Sequence, residues 1–304
     1  MFWLTITILS YFLLAISFLV DKYLLVGPIH NPKTYTFYIG AAGILVLALI
    51  PFVGFSIPSA EQIILALSCG FFFVFGLFWL YRALHRFEAS RVIPATGAVM
   101  PIFSALLIFI ISRGEETLSF PEYSAFALLI LGSLMITGQK SQKISTKCFF
   151  ASCLAALLLS LYFVMAKYVY LSQPFWSGLI WIRIGGFLTA LGFLLSAEVR
   201  RQVFTKRTSP QKQKKTAIVF FGNQAVGASG NLLQSWAVAL APLAYVAVIN
   251  ALSGVQYAFL FIFSVIISLK FPAILREDVS RGIIIKKIIA IVLIGGGLAL
   301  FTLK

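Results

Sequence analysis

Arg183 is the residue whose position in this sequence most needs a chemical reason. It lies in "WIRIGG", about seven residues into an apolar run, and a charge near the centre of a bilayer costs roughly 2.5–3.5 kcal/mol on insertion scales. No Asp or Glu lies well inside any of the apolar runs to pair with it. Two outlets remain. A substrate anion fills the role of partner, or the side chain snorkels to lipid phosphates about 10 Å away at 1.5 Å per residue. Gly185 and Gly186 follow closely and permit close helix contact.

A second concentration of polar chemistry falls between residues 223 and 234. At 100° per residue, Asn223, Gln224, Gly227, Gly230, Asn231 and Gln234 share an arc of about 120° on a helix whose other side is apolar. Unpaired amides facing lipid are costly, so the stripe must face other helices or a wet cavity. A hydrogen-bonded helix seam is one reading; six such positions exceed what one seam needs, which favours cavity lining. Farther on, Asn250, Gly254 and Tyr257 share another small or polar face. The substrate-binding residues expected from the sequence are therefore Arg183, Asn223, Gln224, Asn231, Gln234, Asn250, Tyr257 and Thr96, the last opposite Asn250 in the repeat described below.

Lys22 and Lys167 each end an apolar run, in "FLVDKYLL" and "FVMAKYVY". Paired gate residues or anion contacts at two cavity mouths are one reading. Interfacial anchors, with Tyr23 and Tyr168 in an aromatic belt, are the other. Asp21 pairs with a neighbouring base and has no counterpart at Ala166. Catalysis finds little support. His30 and His85 are too far apart in sequence to form a motif, and no Ser-His-Asp, metal-spaced or phosphate-loop pattern occurs. Cys69, Cys148 and Cys153 are odd in number and lie in apolar runs, as core residues do. An enzyme, a metal and a cofactor are all unexpected.

The elements that must position these residues are membrane helices. Of 304 residues 61% are hydrophobic and 11% charged, against roughly 25% charged in soluble domains. A net charge of +15 would suggest nucleic acid in a soluble chain, but the bases fall between apolar runs, where membrane topology accounts for them and no nucleic-acid partner follows. A bilayer needs about 20 apolar residues per helix. Ten runs qualify: Phe2–Leu25, Thr34–Phe52, Ile63–Leu84, Val92–Ile111, Tyr123–Gly138, Phe149–Tyr168, Ser177–Ser196, Ala217–Ser235, Tyr245–Leu269 and Ile283–Leu300. The first has no basic residue before it, so it reads as a span and not a cleaved signal peptide. Pro94 and Pro101 should bend the fourth, and residues 198–216 form a basic, polar, mobile connection.

A shift of 145 sets "FYIGAAGILVLAL" on "IRIGGFLTALGFL", keeping Ile39 with Ile184, Gly40 with Gly185 and Lys22 with Lys167. A shift of 154 sets Gly76 on Gly230 and Thr96 on Asn250. The expected fold is an all-α integral membrane protein of ten transmembrane helices in two inverted five-helix repeats, 1–146 and 147–304. "YRALHRFEASRVIPATGAVMPIFSALL", then "GEETLS" and "SAFALLILGSLMITG", resembles the EamA-like family of the drug/metabolite transporter superfamily. Its marks are Ala83-Leu84, Ala89-Ser90, Pro94, Pro101 and the Gly-Glu that follows, with a looser echo from residue 239 to the glycine run of "IIAIVLIGGGLALF". The resemblance covers nearly the whole chain and implies ten helices around a central cavity, with small-molecule transport or export.

Of the 24 Lys and Arg residues, 20 fall in connections after odd-numbered spans, which by the positive-inside rule places both termini outside. The family resemblance implies both termini inside. The expected activity is secondary transport of a small metabolite or amphipathic compound across the cell membrane by alternating access, with membrane lipids and a small-molecule substrate as partners and a homodimer left open. The alternatives are a flippase for a lipid-linked molecule, and a membrane-embedded enzyme or scaffold.

Overall fold

The computed structural model describes residues 2–26, 29–87, 89–137, 146–204, 210–270 and 281–302, and every regular element among them is helical. In chain order these are α1 (Phe2–Val26), α2 (Pro32–Ala42), α3 (Ile50–Val53), α4 (Ala60–Arg86), α5 (Ala89–Ile111), α6 (Phe120–Thr137) and α7 (Thr146–Ser172). There follow α8 (Phe175–Gly192), α9 (Ala197–Phe204), α10 (Pro210–Leu240), α11 (Tyr245–Ala251), α12 (Ser253–Lys270) and α13 (Arg281–Thr302). Long runs of Leu, Ile, Phe and Ala take this form because a helix satisfies its own backbone where no water can. Among the described residues six stretches are long and apolar enough to cross a membrane: Phe2–Leu25, Pro32–Val53, Ala60–Arg86, Thr146–Ser172, Phe175–Leu195 and Tyr245–Phe263. Ala95–Ile111 and Phe120–Met135 are equally apolar in character but shorter.

Local structure departs from the sequence reading in three places. The second predicted span is not one regular helix: α2 tightens into a 3₁₀ stretch, Gly43–Leu49, before α3 and its Pro51. The ninth is interrupted at Leu252, where Val255 N bonds Leu252 O three residues back. The basic connection 198–216 is not an extended loop but helical at both ends. In α9, Glu198 occupies the first turn and Arg201 the last, each complementing the helix dipole. Pro210 opens α10, a position where its missing N–H costs nothing; residues 205–209 lie outside the described ones.

Helices pack pairwise through small residues. The closest pairs are α1 with α10, α6 with α13, α4 with α7 and α8, and α5 with α7. Between α4 and α8 the backbones themselves touch. A Cβ on Gly70 would stand 2.1 Å from Ile182 O and 2.4 Å from Gly186 N, and one on Gly185 would stand 2.4 Å from Leu67 O. Such close approach is how membrane helices gain van der Waals contact without a hydrophobic driving force between them. Large side chains such as Phe109, Phe150 and Val292 face outward, an exterior suited to lipid and not to water.

Candidate functional site

The interior polar groups gather where α5, α11 and α12 meet α1 and α7. Asn250 of α11 is fully buried; its Nδ2 donates to Ser104 Oγ at 2.7 Å, while Ser104 Oγ and Ser160 Oγ donate to Met100 O at 3.0 and 2.8 Å. Among the described residues Asn250 Oδ1 and the buried Thr96 Oγ1 have no hydrogen-bond partner, a state they share with seven other buried side-chain atoms. Buried polar atoms left open are expensive, and these two lie on the mutually packed helices α5 and α11. Tyr257 packs its hydroxyl on Gly97, where a Cβ would come within 2.5 Å. At the interruption of the ninth span, Tyr11 OH donates to Ile249 O at 2.7 Å, and Gln234 is buried on the α10 face toward Tyr11.

Arg183 is half-buried on α8, with its guanidinium 5.1 Å from the centroid of the Phe73 ring and its stem 3.8 Å from the Cβ position of Gly43. Phe73 in turn lies 4.8 Å from Tyr162. An aromatic face attracts a cation and offers it no acceptor, so the hydrogen-bonding edge of Arg183 takes none among the described residues. The side chain lies between helices; Phe73, not a carboxylate, is its neighbour.

Most of the α10 stripe is used by the seam with α1. Gly227 accommodates Ser17, Gly230 accommodates Leu13 and Leu14, Ser10 Oγ donates to Gly230 O at 2.9 Å, and Asn231 Nδ2 returns to Gly227 O of its own helix at 2.9 Å. Gln224 is half-buried. Asn223 does something else. Its Nδ2 donates to Asp21 Oδ1 at 2.5 Å; Tyr35 OH donates to the same oxygen, and Tyr81 OH reaches Oδ2 at 3.3 Å. Asp21 therefore draws three neutral donors from α2, α4 and α10 and has no cationic partner among the described side chains, in place of the base the sequence suggested. The sequence suggested a neighbouring base for this carboxylate because its actual partners are 14, 60 and 202 positions away. The available signal was the Asp itself, four residues inside the end of an apolar run.

The two lysines part company. Lys167 is buried and donates to Ala239 O at 2.9 Å, capping the last turn of α10. Lys22 belongs to α1, and its side chain lies outside the described ones. Near the end of α1, residues 30–33, the last turns of α4 and helix α9 border a cavity of about 480 Å³ that opens to the surface, lined by His30, Lys33, Arg82, His85, Arg86 and Glu198 among others. Both histidines, remote in sequence, meet there.

Neither a protein-family model nor a curated protein matches the chain. Among solved structures 28 chains match. One, described in the words "Crystal structure of protein", superposes with a TM-score of 0.65 at 16% identity over 98% of this chain and 94% of its own. The fold is thus one that solved proteins share from end to end, and at that identity the likeness is of fold alone.

Proposed function

We propose that the chain is a secondary transporter of the EamA-like drug/metabolite kind in the cell membrane. Ten spans in two inverted halves, 1–146 and 147–304, move a small metabolite or amphipathic compound by alternating access. The observation that carries this reading is a repeated glycine–leucine contact. A Cβ on Gly76 of α4 would meet Leu159 of α7 at 2.9 Å, and a Cβ on Gly230 of α10 would meet Leu14 of α1 at 2.9 Å. Gly76 and Gly230 are 154 apart, Leu14 and Leu159 are 145 apart, and these are the two shifts that align the halves. One seam is therefore the other with its halves exchanged.

Several other pairings support the same pseudo-two-fold, while the close α4–α8 contact has no equally close counterpart between α10 and α2. Contact of α5 with α7 corresponds to contact of α12 with α1, while α6 with α13 and α5 with α11 join elements to their own counterparts. Thr96 and Asn250, also 154 apart, lie on the mutually packed α5 and α11. A ligand at their open oxygens would touch both halves at once, the placement alternating access requires.

Purified protein should be screened for thermal stabilisation by amino acids, sugar phosphates, nucleotides and cationic drugs, then assayed for counterflow of any hit in proteoliposomes. At 100 times its dissociation constant a ligand adds about 2.7 kcal/mol. The expected result is a soluble hit that exchanges across the bilayer and is lost in Asn250→Ala or Arg183→Ala. A protein that exchanges none of the compounds that bind it is not a transporter of them, and stabilisation by lipid headgroups alone moves the assignment to a flippase.

A further inference from the structure

The cavity of about 480 Å³ near the end of α1 is separate from the polar centre at Thr96 and Asn250, and it falls in the ~300–1,000 Å³ range of small-ligand sites. Its walls bring together the connection after the first span, the end of α4 and the start of α9. Among the described residues, His30, Lys33, Arg82, His85 and Arg86 line it against one acid, Glu198. Arg82 and Arg86 are four residues apart in the last turns of α4, so their guanidinium groups leave the same helix face.

Two further features turn this into a site. Lys33 sits in the first turn of α2, where Asn31 Oδ1 accepts its backbone N–H at 2.9 Å, and that helix end adds partial positive charge to the wall. Arg82 lies 4.8 Å from the Trp79 ring, so an aromatic face holds its plane and leaves its N–H edge for another acceptor. Among the described residues none of the five bases has an ion-pair partner. Lys33, Arg82 and Arg86 outnumber the carboxylate of Glu198 along this wall, and a bound anion offsets their mutual repulsion.

We propose that this cavity binds a phosphomonoester dianion. Its three terminal oxygens and double charge suit two guanidinium forks and one ammonium at once, and the cavity has room for a small organic group beyond the phosphate. A soluble glycerol or sugar phosphate and the headgroup of phosphatidic acid present the same chemistry. The site does not rest on the chain being a transporter, because occupancy is read as binding.

The test uses the intact protein. Glycerol 3-phosphate is titrated by calorimetry onto protein in detergent, and phosphatidic acid in phosphatidylcholine nanodiscs is followed by native mass spectrometry. At least one of the two should bind. Lys33→Gln and Arg86→Gln should each weaken that binding about tenfold or more, the value of one charge-assisted contact. Glu198→Gln should tighten it, a change that a misfolded variant cannot imitate. Preference for glycerol 3-phosphate makes the ligand a soluble metabolite, and preference for phosphatidic acid makes it a lipid; either supports the site. Failure of both ligands to bind, or binding indifferent to all three substitutions, overturns it.

Discussion

At one face of the bundle the last turns of α1 carry Asp21, held by Tyr35, Tyr81 and Asn223 near a cavity walled by bases. At the other face the last turns of α7, its counterpart in the proposed repeat, carry Lys167, buried against the carbonyl of Ala239. The second face is laced shut. Ser56 N and Oγ both reach Ser177 Oγ at 3.0 Å, Gln62 Nε2 donates to Ser172 O at 3.1 Å, and Tyr245 OH donates to Glu122. Two helix ends in equivalent places thus reach different fates. Where a polar side chain finds a backbone carbonyl, the end seals; where it gathers side chains from three helices, the neighbouring surface stays open and charged.

Three substitutions bear on that contrast. Asp21→Ala should have the largest effect, because it strands two buried hydroxyls and an amide at once. A loss of about 3 kcal/mol is expected, read by thermal unfolding in detergent, and a loss below about 1 kcal/mol would mean that water replaces the carboxylate. Lys167→Met should cost about 1 kcal/mol, since it removes one charged donor and leaves a helix-end carbonyl with other means of satisfaction. If it costs more than Asp21→Ala, the sealed face is the more demanding of the two and the comparison reverses. Tyr81→Phe, which gives up only the 3.3 Å contact, should lower stability by about 0.5 kcal/mol; an effect as large as that of Asp21→Ala would make Tyr81 the chief anchor of the cluster.

Much of the helical character was legible in the sequence, since apolar runs of this length have one stable form in lipid. The inward face of α10 was legible too, because the 100° rule placed Asn223, Gly227, Gly230 and Gln234 together and all four are buried. What that face touches was not. Small residues serve a seam and a cavity equally well until the partner is known, and here Ser17 and Leu14 of α1 decide for the seam. The partners of Asp21 and the meeting of His30 with His85 were not legible for a related reason. Their neighbours come from helices far away in sequence, and no local period encodes which helices meet. The helical content of 198–216 was obscured by its charge, which describes a surface and not a backbone conformation.

Tyr11 and Ile249 give the ninth span a property that an unbroken helix lacks. The Ile249 carbonyl bonds the Tyr11 hydroxyl of α1 at the point where the α-helical ladder is interrupted. Flexing α11 against α12 there would exchange one side-chain hydrogen bond for another, at about 1 kcal/mol, and would unwind no turn. The joint is tied to a different helix, so a bend of the ninth span there would have to carry α1 with it or give up the Tyr11 hydrogen bond.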